Sequence, residues 1–136
     1  MFQATNIMTP DDLNKNVNEI QTFLEAEFNA DVPAACVERA QSLAGYMALT
    51  GKMLADARYH YNTLLNSSII GALKIESADR MSASTLNSYI KSLCKDYQYL
   101  VDRIDRLNAT CVHDIDLLRT LISKHKEELK LAGWQK

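Results

Sequence analysis

The stretch "RLNATCVHDIDLLRTLISKHKEEL" (106–129) mixes side chains that could do chemistry with a regular run of leucine and isoleucine. Its polar members are Asn108, Thr110, Cys111, His113, Asp114 and Asp116. Cys111 and His113 look like a pair of metal ligands in the linear string. Two such positions on an α-helix diverge by about 200°, so these side chains cannot bind one metal ion from a helix. The stretch therefore predicts no metal site.

A row of polar and basic residues follows one flank of the same predicted helix. The row consists of Arg103, Arg106, Thr110, His113 and Lys124. Such a row could hold an anion, a phosphate backbone or an acidic partner surface. The alternative is a solvated helix face with local ion pairs, for example between Asp102 and Arg106.

A second candidate is a buried polar residue on the preceding helix. At about 100° per residue, Arg58 shares a face with the apolar residues Met47, Leu54 and Leu65. An arginine buried there needs a carboxylate or carbonyl groups, because an unpaired buried charge costs several kcal/mol, and Asp114 is the candidate partner. The alternative places Arg58 at the edge of the seam, with its guanidinium in water.

Signatures of catalysis and of metal binding are otherwise scarce. Di-iron helical bundles need paired Glu-x-x-His motifs, and the glycine at Gly51 lacks the rest of a phosphate-binding loop. Asp56 and His60 have the spacing of a ligand pair, but they point away from the apolar stripe, which favours a solvated pair. We therefore expect no catalytic residues, no metal and no cofactor.

The elements that position these residues are amphipathic helices. The string "TPDD" (9–12) is typical of a helix start, with Thr9 as the cap and Pro10 at the first helical position. Apolar residues then recur at spacings of three and four. The pattern predicts an all-α protein with helices at about 10–28, 33–65, 84–94 and 96–132.

The last apolar stripe is the longest. It contains Leu86, Ile90, Leu93, Tyr97, Leu100, Ile104, Leu107, Cys111, Ile115, Leu118, Ile122, His125 and Leu129. A break near Cys94–Asp96 would divide it into a short and a long helix, and residues 66–83 are a connection that could contain a short helix. We expect one domain over 1–136, an elongated three- or four-helix bundle with two long helices, completed by oligomerisation.

Composition narrows the class of protein. With 15 basic and 17 acidic residues the formal net charge is −2, which gives little support to tight non-specific binding of nucleic acid. The three cysteines are widely spaced, which favours reduced, buried thiols. The N-terminus lacks the pattern of a signal peptide and the longest apolar run is short, so we expect a cytoplasmic protein.

Three segments carry a resemblance to a known class of proteins. They are "MTPDDLNKNVNEIQTFLEAE" (8–27), "GKMLADARYHY" (51–61) and the stretch 106–129. Together they resemble small helical proteins that phages and prophages encode among genes for DNA replication and recombination. The resemblance implies an accessory protein in the cytoplasm of a host cell, and it transfers no functional residue.

Three functional hypotheses follow from these observations. The first is a non-enzymatic oligomeric accessory or inhibitor protein that binds a host or phage protein. The second is binding of nucleic acid or a nucleotide, including sequestration of a signalling nucleotide, through the basic flank of the last helix. The third, a nucleotide hydrolase, needs clustered inward carboxylates for magnesium, and the carboxylates here mostly fall on outward faces.

Overall fold

The chain folds as three long helices in a computed structural model, which describes residues 6–75 and 78–134. Helix α1 spans Pro10–Glu25, α2 spans Pro33–Leu73 and α3 spans Ala83–Trp134, with a short 3-10 turn at Ala78–Arg80. The prediction of an all-α protein is confirmed. The 52 residues of α3 correspond to a rod about 78 Å long.

Helix α1 begins where the sequence predicts it. The Thr9 hydroxyl accepts a hydrogen bond from the Asp12 amide at 3.2 Å, and Pro10 occupies the first turn. The residues Leu13, Val17 and Ile20 form its buried face. The helix ends at Glu25, three residues before the predicted end at Phe28.

Two predicted boundaries are wrong. Helix α2 continues to Leu73 instead of ending near residue 65, so the first part of the predicted connection, 66–73, is α-helical. Helix α3 runs unbroken through Cys94–Asp96, and it begins at Ala83 with the Ser82 hydroxyl accepting from the Thr85 amide at 3.1 Å. Both helices continue through these segments because each segment has residues buried in the helix–helix interface. These residues are Ser68 and Ala72 on α2 and Cys94 on α3.

Helices α2 and α3 form an antiparallel hairpin whose alignment is fixed by polar contacts. The Asn108 amide donates to the Met47 carbonyl at 3.0 Å and to the Thr50 hydroxyl at 2.9 Å. Thr50 is fully buried, and its own hydroxyl donates to the Tyr46 carbonyl at 2.8 Å. A one-residue shift of α3 would move the Asn108 amide away from both of these acceptors, so the contacts specify the register of the hairpin.

Helix α1 covers only one part of this hairpin. Met8 lies level with His60 of α2, and His60 in turn faces Tyr97 of α3. We call α1 together with 33–60 of α2 and 97–125 of α3 the body, and we call 61–73 of α2 with 83–96 of α3 the arm. The body is therefore a three-helix structure and the arm a two-helix structure.

The core lies mainly in the body. One cluster of buried residues joins α1 to the middle of the hairpin, and it contains Leu13, Val17, Ile20, Met53, Ala57, Leu100, Val101, Ile104 and Leu107. A second cluster of Cys36, Leu43, Cys111 and Leu118 continues it towards the start of α2. In the body the predicted stripe of α3 is buried or half-buried, whereas Leu93 in the arm and Leu129 near the C-terminal end are exposed.

Candidate functional site

The strongest candidate site is a groove between α1 and α3 with a volume of about 500 Å³. Three residues of the predicted basic flank line it: Arg103, Arg106 and Thr110. Helix α1 contributes Gln21 and Glu25 from its last turns. The remaining lining residues are Leu24, Tyr99, Asp102 and Leu107. The groove thus combines two guanidinium groups, two carboxylates and a phenol ring.

Arg103 is held in place by residues on both sides of it. Its Nη2 donates to Asn18 Oδ1 of α1 at 3.5 Å, and its Cζ lies 5.9 Å from the centroid of the Tyr99 ring. Both distances are at the long end for a hydrogen bond and for a cation–π contact. The side chain is therefore oriented without being consumed by a strong ion pair.

Hydrogen bonds inside the groove decide which groups can donate to a ligand. The Thr110 hydroxyl donates to the Arg106 carbonyl at 2.9 Å, so its hydrogen is already used. The Gln21 amide donates to Glu25 Oε1 at 2.8 Å. Because an ionised carboxylate only accepts hydrogen bonds, Glu25 on the α1 side of the groove presents acceptors, while Arg103 and Arg106 present the charged donors. The Gln21 amide keeps its carbonyl and one N–H.

The other two residues of the predicted row lie outside this groove. His113 and Lys124 are both exposed on α3. Lys124 is fourteen residues beyond Thr110, which is about 21 Å along a helix. The five residues that the sequence places on one flank therefore extend too far along α3 to line one groove together.

The predicted pairing of buried Arg58 with Asp114 is wrong. Arg58 is exposed, and it shares a shallow surface groove with Asp102 and Asp105 of α3. Asp114 is half-buried, and it lies nine residues beyond Asp105, about 14 Å further along α3. The antiparallel register separates the two residues, and helical spacing within one segment carries no information on that register.

Buried Asp56 and half-buried His60 anchor the segment that precedes α1, so their interpretation as a solvated pair is also wrong. The Asp56 carboxylate accepts from the Met8 amide at 3.1 Å and from Lys52 Nζ at 2.6 Å. His60 Nε2 lies 2.6 Å from the Met8 carbonyl, to which it donates. Lys52, Asp56 and His60 follow one another at intervals of four residues, so they form a polar stripe on one face of α2. This spacing could have indicated that another segment covers the stripe.

Arg39 is a structural residue that was not among the residues predicted from the sequence. Its guanidinium lies 4.1 Å from the Phe23 ring centroid and 5.0 Å from that of Phe28, and it donates to the Leu24 carbonyl at 3.2 Å. A cation near the last carbonyls of a helix is favourable. Arg39 lies between Cys36 and Leu43 in the apolar stripe of α2, and this position could have indicated its structural role.

The cysteines are buried and free, as the sequence predicts. Burial raises the pKa of the Cys111 thiol above its ordinary value of 9.0, and the negative charge of Asp114 raises it further. Cys111 faces the core while His113 faces solvent, so the two do not converge. Across 6–75 and 78–134, no three His, Cys, Asp or Glu residues are grouped as a metal site would need.

Comparison with known proteins gives no family. No protein-family model, no curated protein and no solved structure matches the chain. Among the helices of the described ranges, none is both long enough and apolar enough to span a membrane.

Proposed function

We propose that this chain is a non-enzymatic accessory or inhibitor protein of the phage type that self-associates and binds a protein partner, and that the arm is its binding surface. Leu93, Leu100 and Leu107 occupy equivalent positions seven residues apart on α3. In the body, Leu100 and Leu107 are 4% exposed, whereas Leu93 in the arm is 46% exposed. This contrast is the observation that carries the proposal.

The equivalent face of α2 continues in the same way. Ala57 is buried in the cluster that includes α1, and Leu64 and Gly71 follow it at intervals of seven residues. A Cβ added to Gly71 would meet no atom within 4 Å, so the backbone is open to close approach there. One amphipathic helix laid along the arm would occupy the position that α1 occupies in the body.

The proposal commits to a helix as the element that binds. A helix in such a groove contributes apolar side chains at intervals of three and four residues. A second copy of the chain and a different protein can both supply this helix, and the two sources differ in the mass of the assembly they form.

The test compares two exposed apolar residues of similar exposure. Leu93→Glu places a charge on the arm, and Val37→Glu places one on α2 of the body, where Val37 is 43% exposed. We expect Leu93→Glu to abolish both self-association in multi-angle light scattering and capture of the partner from host-cell lysate, and Val37→Glu to preserve both. Circular dichroism provides the check that both variants remain helical.

Two outcomes would contradict the proposal. One is a wild-type chain that is monomeric at high concentration and captures no protein from the lysate. The other is capture that Leu93→Glu leaves unchanged, because the arm would then not be the contact surface.

A further inference from the structure

The groove between α1 and α3 has a chemistry that protein binding by the arm does not explain. We propose that this groove binds a nucleoside monophosphate group, with guanine as the preferred base. Arg103 and Arg106 hold the phosphate, Tyr99 stacks on the base, and Gln21 with Glu25 accept hydrogen bonds from the edge of the base. The inference does not depend on the arm, because none of these residues belongs to it.

The phosphate end of the ligand is set by Arg103 and Arg106. They are three residues apart on α3, which places their Cβ atoms about 5–6 Å apart on the same side of the helix. Guanidinium groups bind phosphate oxygens through paired N–H donors. Because the Thr110 hydroxyl hydrogen is already used on the Arg106 carbonyl, the two arginines supply the donors for the anion.

The flat part of the ligand is set by Tyr99. Its ring is 65% exposed at the end of the groove, and the Arg103 guanidinium lies near it. An exposed aromatic ring beside a phosphate-binding cation is the usual combination for a stacked nucleobase. The ligand therefore needs a planar group and an anionic group on one small molecule.

The hydrogen-bonding edge of the base is set by α1. One N–H of the Gln21 amide donates to Glu25, which leaves the Gln21 carbonyl and the second carboxylate oxygen of Glu25 as acceptors and the other Gln21 N–H as a donor. Guanine offers two neighbouring donors, its ring N–H and its amino group, whereas uracil offers one. Glu25 is the last residue of α1, where the helix dipole disfavours a negative charge, so donors that approach it are stabilised.

The balance of charge restricts the size of the ligand. Two cations, Arg103 and Arg106, share the groove with two carboxylates, Glu25 and Asp102. A long phosphate backbone would gain little from such a surface, since polyanion affinity depends on the number of phosphates neutralised. A single phosphate carried by a base with a donor edge matches both signs of charge.

The experiment is calorimetric titration of the full chain with guanosine monophosphate, inosine monophosphate, uridine monophosphate, guanosine and inorganic phosphate. We expect guanosine monophosphate to bind more tightly than each of the other four. The inosine compound lacks the amino group, so its deficit measures the contact with Glu25. That deficit should disappear in Glu25→Ala, because this variant has no side-chain acceptor at position 25.

Substitutions of groove residues test whether the nucleotide binds in the groove. Arg106→Ala should weaken the affinity for guanosine monophosphate by about tenfold or more, the usual loss for a charged hydrogen bond, and Tyr99→Leu by about tenfold. Arg119→Ala is the matched control, because Arg119 is an exposed arginine on the same helix that pairs with Asp116 at 3.5 Å. It should leave the affinity unchanged.

Three results would overturn the inference. They are the absence of binding at about 5 mM nucleotide, an equal loss in Arg106→Ala and Arg119→Ala, and equal affinity for the guanosine and inosine compounds, which removes the assignment of the base. Competition by a short 5′-phosphorylated oligonucleotide would identify the end of a nucleic acid as the source of the same group. Failure of that oligonucleotide to compete would identify the free nucleotide.

Discussion

The body and the arm are built from the same two helices, yet they differ in how their apolar faces are covered. In the body, α1 closes the hairpin, and Leu13, Val17 and Ile20 are almost completely buried against it. In the arm, Ile90 and Cys94 are buried by α2 alone, while Leu73 and Leu93 stay exposed. A third helix therefore converts a helical pair into a core, and the uncovered apolar face of the arm begins beyond the N-terminal end of α1.

The polar contacts between α2 and α3 are also stronger in the body than in the arm. The body has the Asn108 amide bonded to Met47 and Thr50 at 3.0 and 2.9 Å. The arm has a contact between the Cys94 thiol and the Ser68 hydroxyl at 3.8 Å, and a thiol is a weak donor. The register is consequently specified in the body and transmitted to the arm by the continuity of the helices.

The largest expected effect compares two isoleucines on α3 that are fourteen residues apart. Ile104→Ala in the body should lower the free energy of unfolding by about 3–4 kcal/mol, because it opens a cavity between three helices. Ile90→Ala in the arm should cost about 1–2 kcal/mol, because a two-helix surface can collapse or admit water. Urea denaturation followed by circular dichroism measures both.

The exposed Leu117→Ala is the control for this pair, and its effect should stay within about 0.5 kcal/mol. Equal losses for Ile104→Ala and Ile90→Ala would mean that the arm is packed as tightly as the body. The body and the arm would then not differ in packing.

An intermediate effect is expected from the polar contacts. Asn108→Ala should destabilise the protein by about 1–1.5 kcal/mol, since it removes two hydrogen bonds and leaves the Met47 carbonyl with fewer partners. Ser68→Ala in the arm should cost less than about 0.5 kcal/mol. A double-mutant cycle between Asn108 and Thr50 should give a coupling energy, and additive effects there would rule out the direct bond.

The smallest expected effect is on the pH dependence of the free energy of unfolding, and it arises from Cys111 in the body. Burial and Asp114 raise the pKa of Cys111 in the folded state above 9.0, so on titration the unfolded chain loses this proton first. The stabilisation is complete below the unfolded pKa and is lost as pH rises through the folded pKa. Cys111→Ala should therefore show a smaller decrease in the free energy of unfolding between pH 7 and alkaline pH than the wild type, and identical pH dependence would contradict this account.

The sequence predicted the helices better than their ends. The caps at Thr9 and Pro10 and the apolar spacing are local properties, so the start of α1 and the all-α class could be read directly. The continuation of α2 beyond residue 65 depends on Ser68 and Ala72 facing α3, which is a tertiary property. For the same reason Cys94–Asp96 contains no break, since the buried thiol holds the helix in register.

The residues of the candidate site also divide into those that could be predicted from the sequence and those that could not. The sequence placed Arg103, Arg106 and Thr110 on one flank of a helix, because helical spacing fixes which residues share a face. It could not supply Gln21 and Glu25, which come from a helix about eighty residues away in the chain. Nor could it show that Asp56 and His60 anchor the residues before α1.

The amino-acid sequence by itself determined the helical class, the buried thiols and the apolar faces of α1 and α3, because each follows from periodicity and composition. The tertiary structure alone decided that Arg58 and Asp114 lie far apart, that α1 covers only the body, and that two arginines face a glutamate across a groove. The physical reason is that the register and length of overlap between helices depend on contacts such as Asn108 with Thr50, which join residues distant in sequence.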